Sequence, residues 1–197
     1  MIKKQKFSAV ILAAGLSERM GKAKMFLLWK GKSFIEHIIE GYINCGISEV
    51  IVVVNKNNIT VFNNIFKDNL SVRAILNEHP DKGRFYSLQK GLNALKHINS
   101  CFIHNVDNPV VEKAVIESME NLINNTNYVV PIYNDKKGHP ILLSKFIVNK
   151  LINEQKEDIN IKTYLNQFDK NPCEVSSDKI HININNIEDF ERFSNHI

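Results

Sequence analysis

Phe7 to Lys24 read FSAVILAAGLSERMGKAK. An apolar run ends at Ala13-Ala14-Gly15 and gives way to a hydroxyl, Ser17, and three cations, Arg19, Lys22 and Lys24. Val10, Ile11 and Leu12 favour β structure and lack polar alternation, the pattern of a strand buried on both faces of a parallel sheet. Open α/β sheets bind ligands in the loops that leave the carboxyl ends of such strands. Ala13, Ala14 and Gly15 let a ligand lie close to their backbone, and Gly15 and Gly21 accommodate bends. One hydroxyl, a forked guanidinium and two ammonium groups suit a polyphosphate. The stretch reads as a strand feeding an anion cradle; a charged surface loop is the plain alternative.

Two other phosphate loops fail on spacing. A P-loop needs Gly-Lys-Ser/Thr at the end of a shorter glycine interval, whereas Lys22 is followed by Ala23 and Gly15 and Gly21 are one residue too far apart. A dinucleotide fingerprint needs three closely spaced glycines, and here the second comes only at Gly21.

The 197 residues, 44% hydrophobic, are enough for one domain, 1–197, with a sizeable core. The net charge of +4 is scattered among acids, so no basic platform for nucleic acid is expected. Cys45, Cys101 and Cys173 stand apart from one another and suggest neither a zinc site nor a disulfide framework. No segment is long enough to cross a membrane, and the basic start MIKKQK runs into the first strand and does not read as a signal peptide. A cytoplasmic protein with no membrane partner is expected.

Along the chain, Ser33 is placed to cap an amphipathic helix carrying Ile35, Ile38, Ile39, Tyr42 and Ile43, with Gly46 as its stop. EVIVVVN predicts a buried strand, a helix follows through Val61, Ile65 and Phe66, and VRAILN predicts a third strand. That order implies a parallel sheet with right-handed crossovers in a layered α/β domain. Asn77, at a strand end, either reads a base edge or satisfies a turn. A strand over 101–106 delivers Asp107 to the same rim, where a lone carboxylate opposite a polyphosphate suits Mg²⁺; initiating a turn is the alternative. Asn108 to Asn125 predicts a helix, and 128–144 two strands about a turn at Asp135 to Gly138. His139, beside that turn, is open between a site role and a structural one. IKTYLNQF predicts a helix and the tail KIHININNIEDFERF a strand and a helix, with Asn186 suited to cap the latter.

LAAGLSERMGKAK resembles the signature of the MobA-like nucleotidyltransferases, and the Ala-Ala-Gly form is more similar to the molybdenum cofactor cytidylyltransferase branch. Further similarities run in order from Phe7 to Phe190: Asn77, Gly83 and Ser87-Leu88; Asp107-Asn108-Pro109; Gly138-His139-Pro140; and Asn183 to Asp189. The resemblance implies a three-layer Rossmann-like α/β fold with helices on both faces of a mostly parallel sheet. It implies that Leu12, Ala13, Ala14, Gly15, Ser17, Arg19, Lys24, Asn77, Gly83 and Ser87 bind an NTP, with Arg19, Lys24 and Asp107 catalytic. Asp107 with Asn183 or Asn185 would hold Mg²⁺, and His139 and Pro140 would line the acceptor side. The activity implied joins an NTP, CTP by preference, to molybdopterin with release of pyrophosphate, with transient contact with a molybdoenzyme or its chaperone. The alternatives are a sugar or alcohol phosphate as acceptor, or a nucleotide-binding cofactor chaperone without turnover. The chain departs from the family pattern at Arg84-Phe85-Tyr86, in place of small hydroxyl residues, and at Ile187, in place of proline.

Overall fold

The computed structural model describes residues 6–15, 22–157 and 159–196. Strand β1 is Phe7–Ala13, and a short hairpin follows, β2 Leu28–Trp29 and β3 Lys32–Ser33. Then come α1 Phe34–Asn44, β4 Glu49–Asn55, α2 Ile59–Phe66, β5 Val72–Asn77, α3 Gly83–Asn93 and β6 Ser100–Asn105. The second half holds α4 Lys113–Leu122, β7 Tyr128–Tyr133, β8 Lys136–Lys137, β9 Ile141–Leu143, α5 Lys145–Ile152, α6 Ile161–Leu165, β10 Lys170–Glu174 and α7 Ile187–His196.

The main sheet runs β10-β7-β9-β6-β1-β4-β5, with β8 folded onto β7. β5, β4, β1 and β6 are parallel, as the alternation of strand and helix predicts. β9 lies antiparallel between β6 and β7, and β10 runs parallel to β7.

Strand parity divides the core. Ala9, Ile11 and Ala13 of β1, with Val50, Val52 and Val54 of β4, meet Ile35, Ile38, Ile39 and Tyr42 of α1, Phe62 of α2 and Ile116 and Met119 of α4. The alternate residues, Val10, Ile51 and Val53, meet Leu88 and Leu92 of α3 and Ile147, Val148 and Leu151 of α5. Successive side chains of a strand point to opposite faces, so a continuous apolar run fills both interfaces. The result is the expected three-layer α/β fold.

Helix ends follow local chemistry. The Ser33 side chain accepts from the Glu36 N–H while Glu36 reaches back to the Ser33 N–H at 2.8 Å, a capping box that opens α1. Gly46, at φ +85°, lies beyond the end of α1, where a side chain would be strained. Gly91 lets α3 press onto the sheet: a Cβ there would lie 2.4 Å from Val10 Cγ1 and 2.9 Å from Val53 Cγ2.

The second half differs from expectation in several places. The predicted helix at Asn108 begins only at Lys113, because Asn108 is buried and its Oδ1 accepts from the Val110 N–H at 3.1 Å, holding 108–112 out of a helix. β7 and β9 pair as expected, but the tight turn falls at Asn134-Asp135, both at positive φ, and inserts β8. The tail forms a 3-10 turn at Asp178–His181 and an extended segment in place of a strand. α5, capped by Ser144, and β10, which contains Pro172, were not expected. Proline is tolerated in β10 because that strand lies at the sheet edge.

Candidate active site

The carboxyl ends of β1, β4, β5 and β6 form one rim. Leu12 pairs with Asn105 across β1 and β6, and the Val106 N–H donates to the Leu12 carbonyl at 3.3 Å. Asp107 therefore comes level with Ala14, the start of the anion loop. Ala13 and Ala14 are buried, whereas Gly15 is exposed and a Cβ added to it would meet nothing within 4 Å among the described residues. Gly15 is not among the glycines at positive φ, so its use is open space in front of the backbone and not the sharp turn expected for it. Ser17 and Arg19 lie outside the described residues. Asn55, which sequence reading passed over, holds the loop: its Nδ2 donates to the carbonyls of Ala14 at 3.2 Å and Gly15 at 3.3 Å. The signal for it was an amide closing the buried strand EVIVVVN.

The tail crosses to the same place. The Ile184 N–H donates to the Asp107 carbonyl at 2.9 Å, and buried Ile184 leaves Asn183 and Asn185 exposed on either side. Asn185 Oδ1 accepts from Lys24 Nζ at 3.3 Å, so the end of the anion loop and the tail meet. Asn186 caps α7 by accepting from the Asp189 N–H at 2.8 Å. Asn183 thus stays available to the rim, Asn185 holds Lys24 through its Oδ1, and Asn186 takes the capping role.

Asp107 is half-buried, and among the described residues its carboxylate makes no hydrogen bond or ion pair. It faces Arg84 and His139 within electrostatic reach. His139 is held by its own N–H on the Ile180 carbonyl at 2.9 Å, and Gly138 before it packs so closely on Ile180 that a Cβ would collide at 2.6 Å. His139 Nδ1 is buried without a hydrogen-bond partner among the described residues. Burial lowers its pKa, the positive charge of Arg84 lowers it further, and Asp107 opposes them. The imidazole is neutral at physiological pH. Pro140, buried and joined to His139 by a cis bond, leads directly into β9.

A polar chain beneath the rim was not foreseen. His104 is fully buried, with Nε2 on the Asn108 carbonyl at 2.7 Å and Nδ1 on Tyr42 OH at 2.9 Å. A carbonyl only accepts, so Nε2 carries the proton and Tyr42 donates to Nδ1. Burial outweighs the Asn108 bond and lowers the His104 pKa to about 4, so the ring stays neutral. Asn108 Nδ2 in turn donates to the Lys179 carbonyl at 3.1 Å, tying the Asp107 turn to the tail.

Asn77, expected to read a base edge or to satisfy a turn, has partners within the fold. It is fully buried, its Oδ1 accepts from the His79 N–H at 2.8 Å, and its Nδ2 donates to Ser87 Oγ at 2.9 Å. Ser87 donates onward to the Gly83 carbonyl at 3.3 Å. Asn77 and Ser87 brace the turn that opens α3, where Gly83 sits exposed at φ +81°. Only the backbone at Gly83 faces outward from this trio.

Known proteins share this fold. The model of the MobA-like NTP transferase domain matches residues 9–170. The chain belongs to the MobA-like NTP transferase family. As a member, it is a nucleotidyltransferase. It is 25% identical over 181 residues, 92% of each chain, to the molybdenum cofactor cytidylyltransferase of Escherichia coli K12. Its fold matches a nucleotidyl transferase from Methanothermobacter thermautotrophicus with a TM-score of 0.79 at 20% identity, covering 98% of each chain. It also matches the 4-diphosphocytidyl-2C-methyl-D-erythritol synthase of Anaerococcus prevotii with a TM-score of 0.76 at 16% identity and 98% coverage of each chain. The MobA-like fold accounts for the parallel half of the sheet and for the rim on which the residues above converge.

Proposed function

We propose that this MobA-like enzyme joins CTP to the terminal phosphate of molybdopterin and releases pyrophosphate, with Mg²⁺ as cofactor, in the cytoplasm and from a single domain. The observation that carries the reading is the Asp107 carboxylate, unpaired among the described residues, level with the backbone at Ala14-Gly15, and in a residue whose own carbonyl accepts from the Asn183–Asn185 segment. The Ala-Ala-Gly loop and the identity with the Escherichia coli cytidylyltransferase favour CTP and molybdopterin.

The donor set fits a hard divalent cation. One carboxylate without a partner among the described residues and the neutral amide oxygen of Asn183 or Asn185 leave most positions to phosphate oxygens and water, as Mg²⁺ prefers. When bound, the ion supplies charge neutralisation at the α-phosphate and the departing pyrophosphate. Among the described residues no group of three or more His, Cys, Asp or Glu could hold a metal, so metal capture depends on the nucleotide.

In the reaction an oxygen of the acceptor phosphate attacks the α-phosphorus. The bond from α-phosphorus to the bridging oxygen breaks, and pyrophosphate leaves with that electron pair. The nucleophile is already ionised, so no base is required and position decides the rate. Lys24 of the loop, with Arg19, offsets charge on the triphosphate. His139, neutral and fixed by the Gly138 contact, keeps its Nδ1 buried and lines the acceptor side with the rest of its ring. Two unit charges about 4 Å apart repel by roughly 4 kcal/mol at an effective dielectric of about 20, so cations around the reacting phosphates govern the barrier.

Calorimetry with CTP, GTP, ATP and UTP, each with and without Mg²⁺, tests the nucleotide, and pyrophosphate release in the presence of molybdopterin tests the acceptor. CTP is expected to bind best and only with metal; preference for another base would remove the cytidylyl assignment. A sugar or alcohol phosphate acceptor is the second reading. Arg84-Phe85-Tyr86 in place of small hydroxyl residues and the likeness of fold to an erythritol cytidylyl synthase favour it. Pyrophosphate release with such phosphates, and none with molybdopterin, would select it.

A further inference from the structure

Arg84, one of the residues at which the chain departs from the family pattern, stands at the start of α3. α3 is pressed onto β1 and β4 through Gly91, against Val10 and Val53. Arg84, Leu88 and Gly91 fall on one line of that helix, at the i, i+4, i+7 spacing of a single face. Seven residues of helix span about 10 Å, so Arg84 projects roughly that far beyond Val10, past the end of β1 and over the rim. There the Arg84 guanidinium makes no hydrogen bond or ion pair with the described residues, although it is near enough to Asp107 and His139 to interact with both electrostatically. Its surface is open to solvent, yet protein atoms surround it closely enough for desolvation to lower its pKa, with Asp107 opposing. Two elements therefore bring a guanidinium and a carboxylate to one rim without pairing with one another among the described residues, with the His139 ring beside them.

We propose that Arg84 binds the phosphate monoester of the acceptor, as the cation on the acceptor side of the reacting α-phosphorus. The inference rests on the nucleotidyltransferase reading above. Lys24 stands across the rim, joined to Asn185 of the tail, and serves the triphosphate. A dianionic nucleophile approaching an anionic α-phosphate needs a counter-charge of its own, and a guanidinium fork fits two oxygens of a phosphate. Arg84 stands beside His139 and opposite Asp107, where that nucleophile has to lie. The position also selects substrates: an acceptor whose nucleophile is a hydroxyl has no anion for Arg84 and is excluded.

The test uses the full chain and the variants Arg84→Met and Arg84→Lys. The α,β-methylene analogue of CTP is titrated with Mg²⁺, and inorganic phosphate is then titrated into the nucleotide-saturated protein as probe. In Arg84→Met, phosphate affinity is expected to fall roughly ten- to hundredfold, as for loss of a charge-assisted contact, with nucleotide affinity and Tm unchanged. Arg84→Lys should retain part of the phosphate affinity, because the charge remains without the fork. If Arg84→Met binds phosphate as the natural chain does, or loses nucleotide affinity instead, the inference fails while the nucleotidyltransferase mechanism stands. No nucleotide binding by the natural chain would overturn both.

Discussion

Asp107 is the residue on which the proposed mechanism turns, and its surroundings separate the role proposed for it from stability. Its carboxylate has no protein partner among the described residues, so Asp107→Ala removes charge without leaving a buried group unsatisfied. Metal-dependent turnover should fall by about 10²–10³-fold or more, the loss seen when one electrostatic stabiliser is removed, while the thermal midpoint stays put. An undiminished rate of pyrophosphate release would take Asp107 out of the mechanism. His104, three residues earlier, behaves in the opposite way. Its pKa is lowered to about 4 by burial, below its unfolded value of 6.5. Between those values the unfolded chain binds more protons than the native one, so this contribution is complete above about pH 6.5 and is lost as pH falls toward 4. The loss should be on the order of 3 kcal/mol, and urea titrations across that range should show it. His104→Gln should flatten the slope; an unchanged slope would mean that another group controls acid stability.

Helix α3 shows at the scale of an element how packing places chemistry. Its apolar face is short and its sequence, GRFYSLQKGLN, holds two glycines and two charges, so helical propensity alone does little for it. The close approach at Gly91 fixes its height over β1 and β4, and hence where Arg84 emerges. Gly91→Ala should destabilise the chain by about 1–3 kcal/mol through overpacking against Val10 and Val53, although alanine favours helix. It should also weaken acceptor binding by lifting Arg84. Urea denaturation checks the first effect, and a more stable variant would show that the contact has slack. At α1 the legible signal sufficed: Ser33 and Glu36 form their capping box from residues three apart, with no distant partner needed.

Across the whole molecule, the tail completes the site from a distance in sequence. α7 docks through Phe193, which stacks on Trp29 at 4.7 Å and meets Phe34 edge-on at 6.0 Å between ring centroids. Ile184 is buried in the same cluster, so this packing holds Asn183 and Asn185 beside Asp107. Phe193→Ala should cost about 3–5 kcal/mol, as deletion of a buried aromatic does. It should also raise the Mg²⁺ concentration needed for nucleotide binding, because the amides lose their place. If calorimetry in the variant shows normal metal dependence, the tail amides do not serve the metal. The same docking explains why the tail was misread. HININN alternates like a strand, but it runs past the rim as an extended segment joined to Asp107 by the Ile184 hydrogen bond and pairs with no strand among the described residues.

The sequence alone determined the parallel half of the fold. Phe7–Ala13, Glu49–Asn55 and Val72–Asn77 are apolar runs whose local pattern admits little else, and a loop of small residues followed by donors is what suggested a polyphosphate. Tertiary structure decided the rest, because those roles depend on which distant groups meet. Asn77 looked free to read a base until burial joined it to Ser87 and His79, while Asn55 looked like a strand end until it met the carbonyls of Ala14 and Gly15. β10, with a proline and two charges, is a strand only because β7 offers it an edge. An amide or a guanidinium has the same chemistry wherever it stands in a sequence; what it binds is settled by the partners that folding brings to it or withholds.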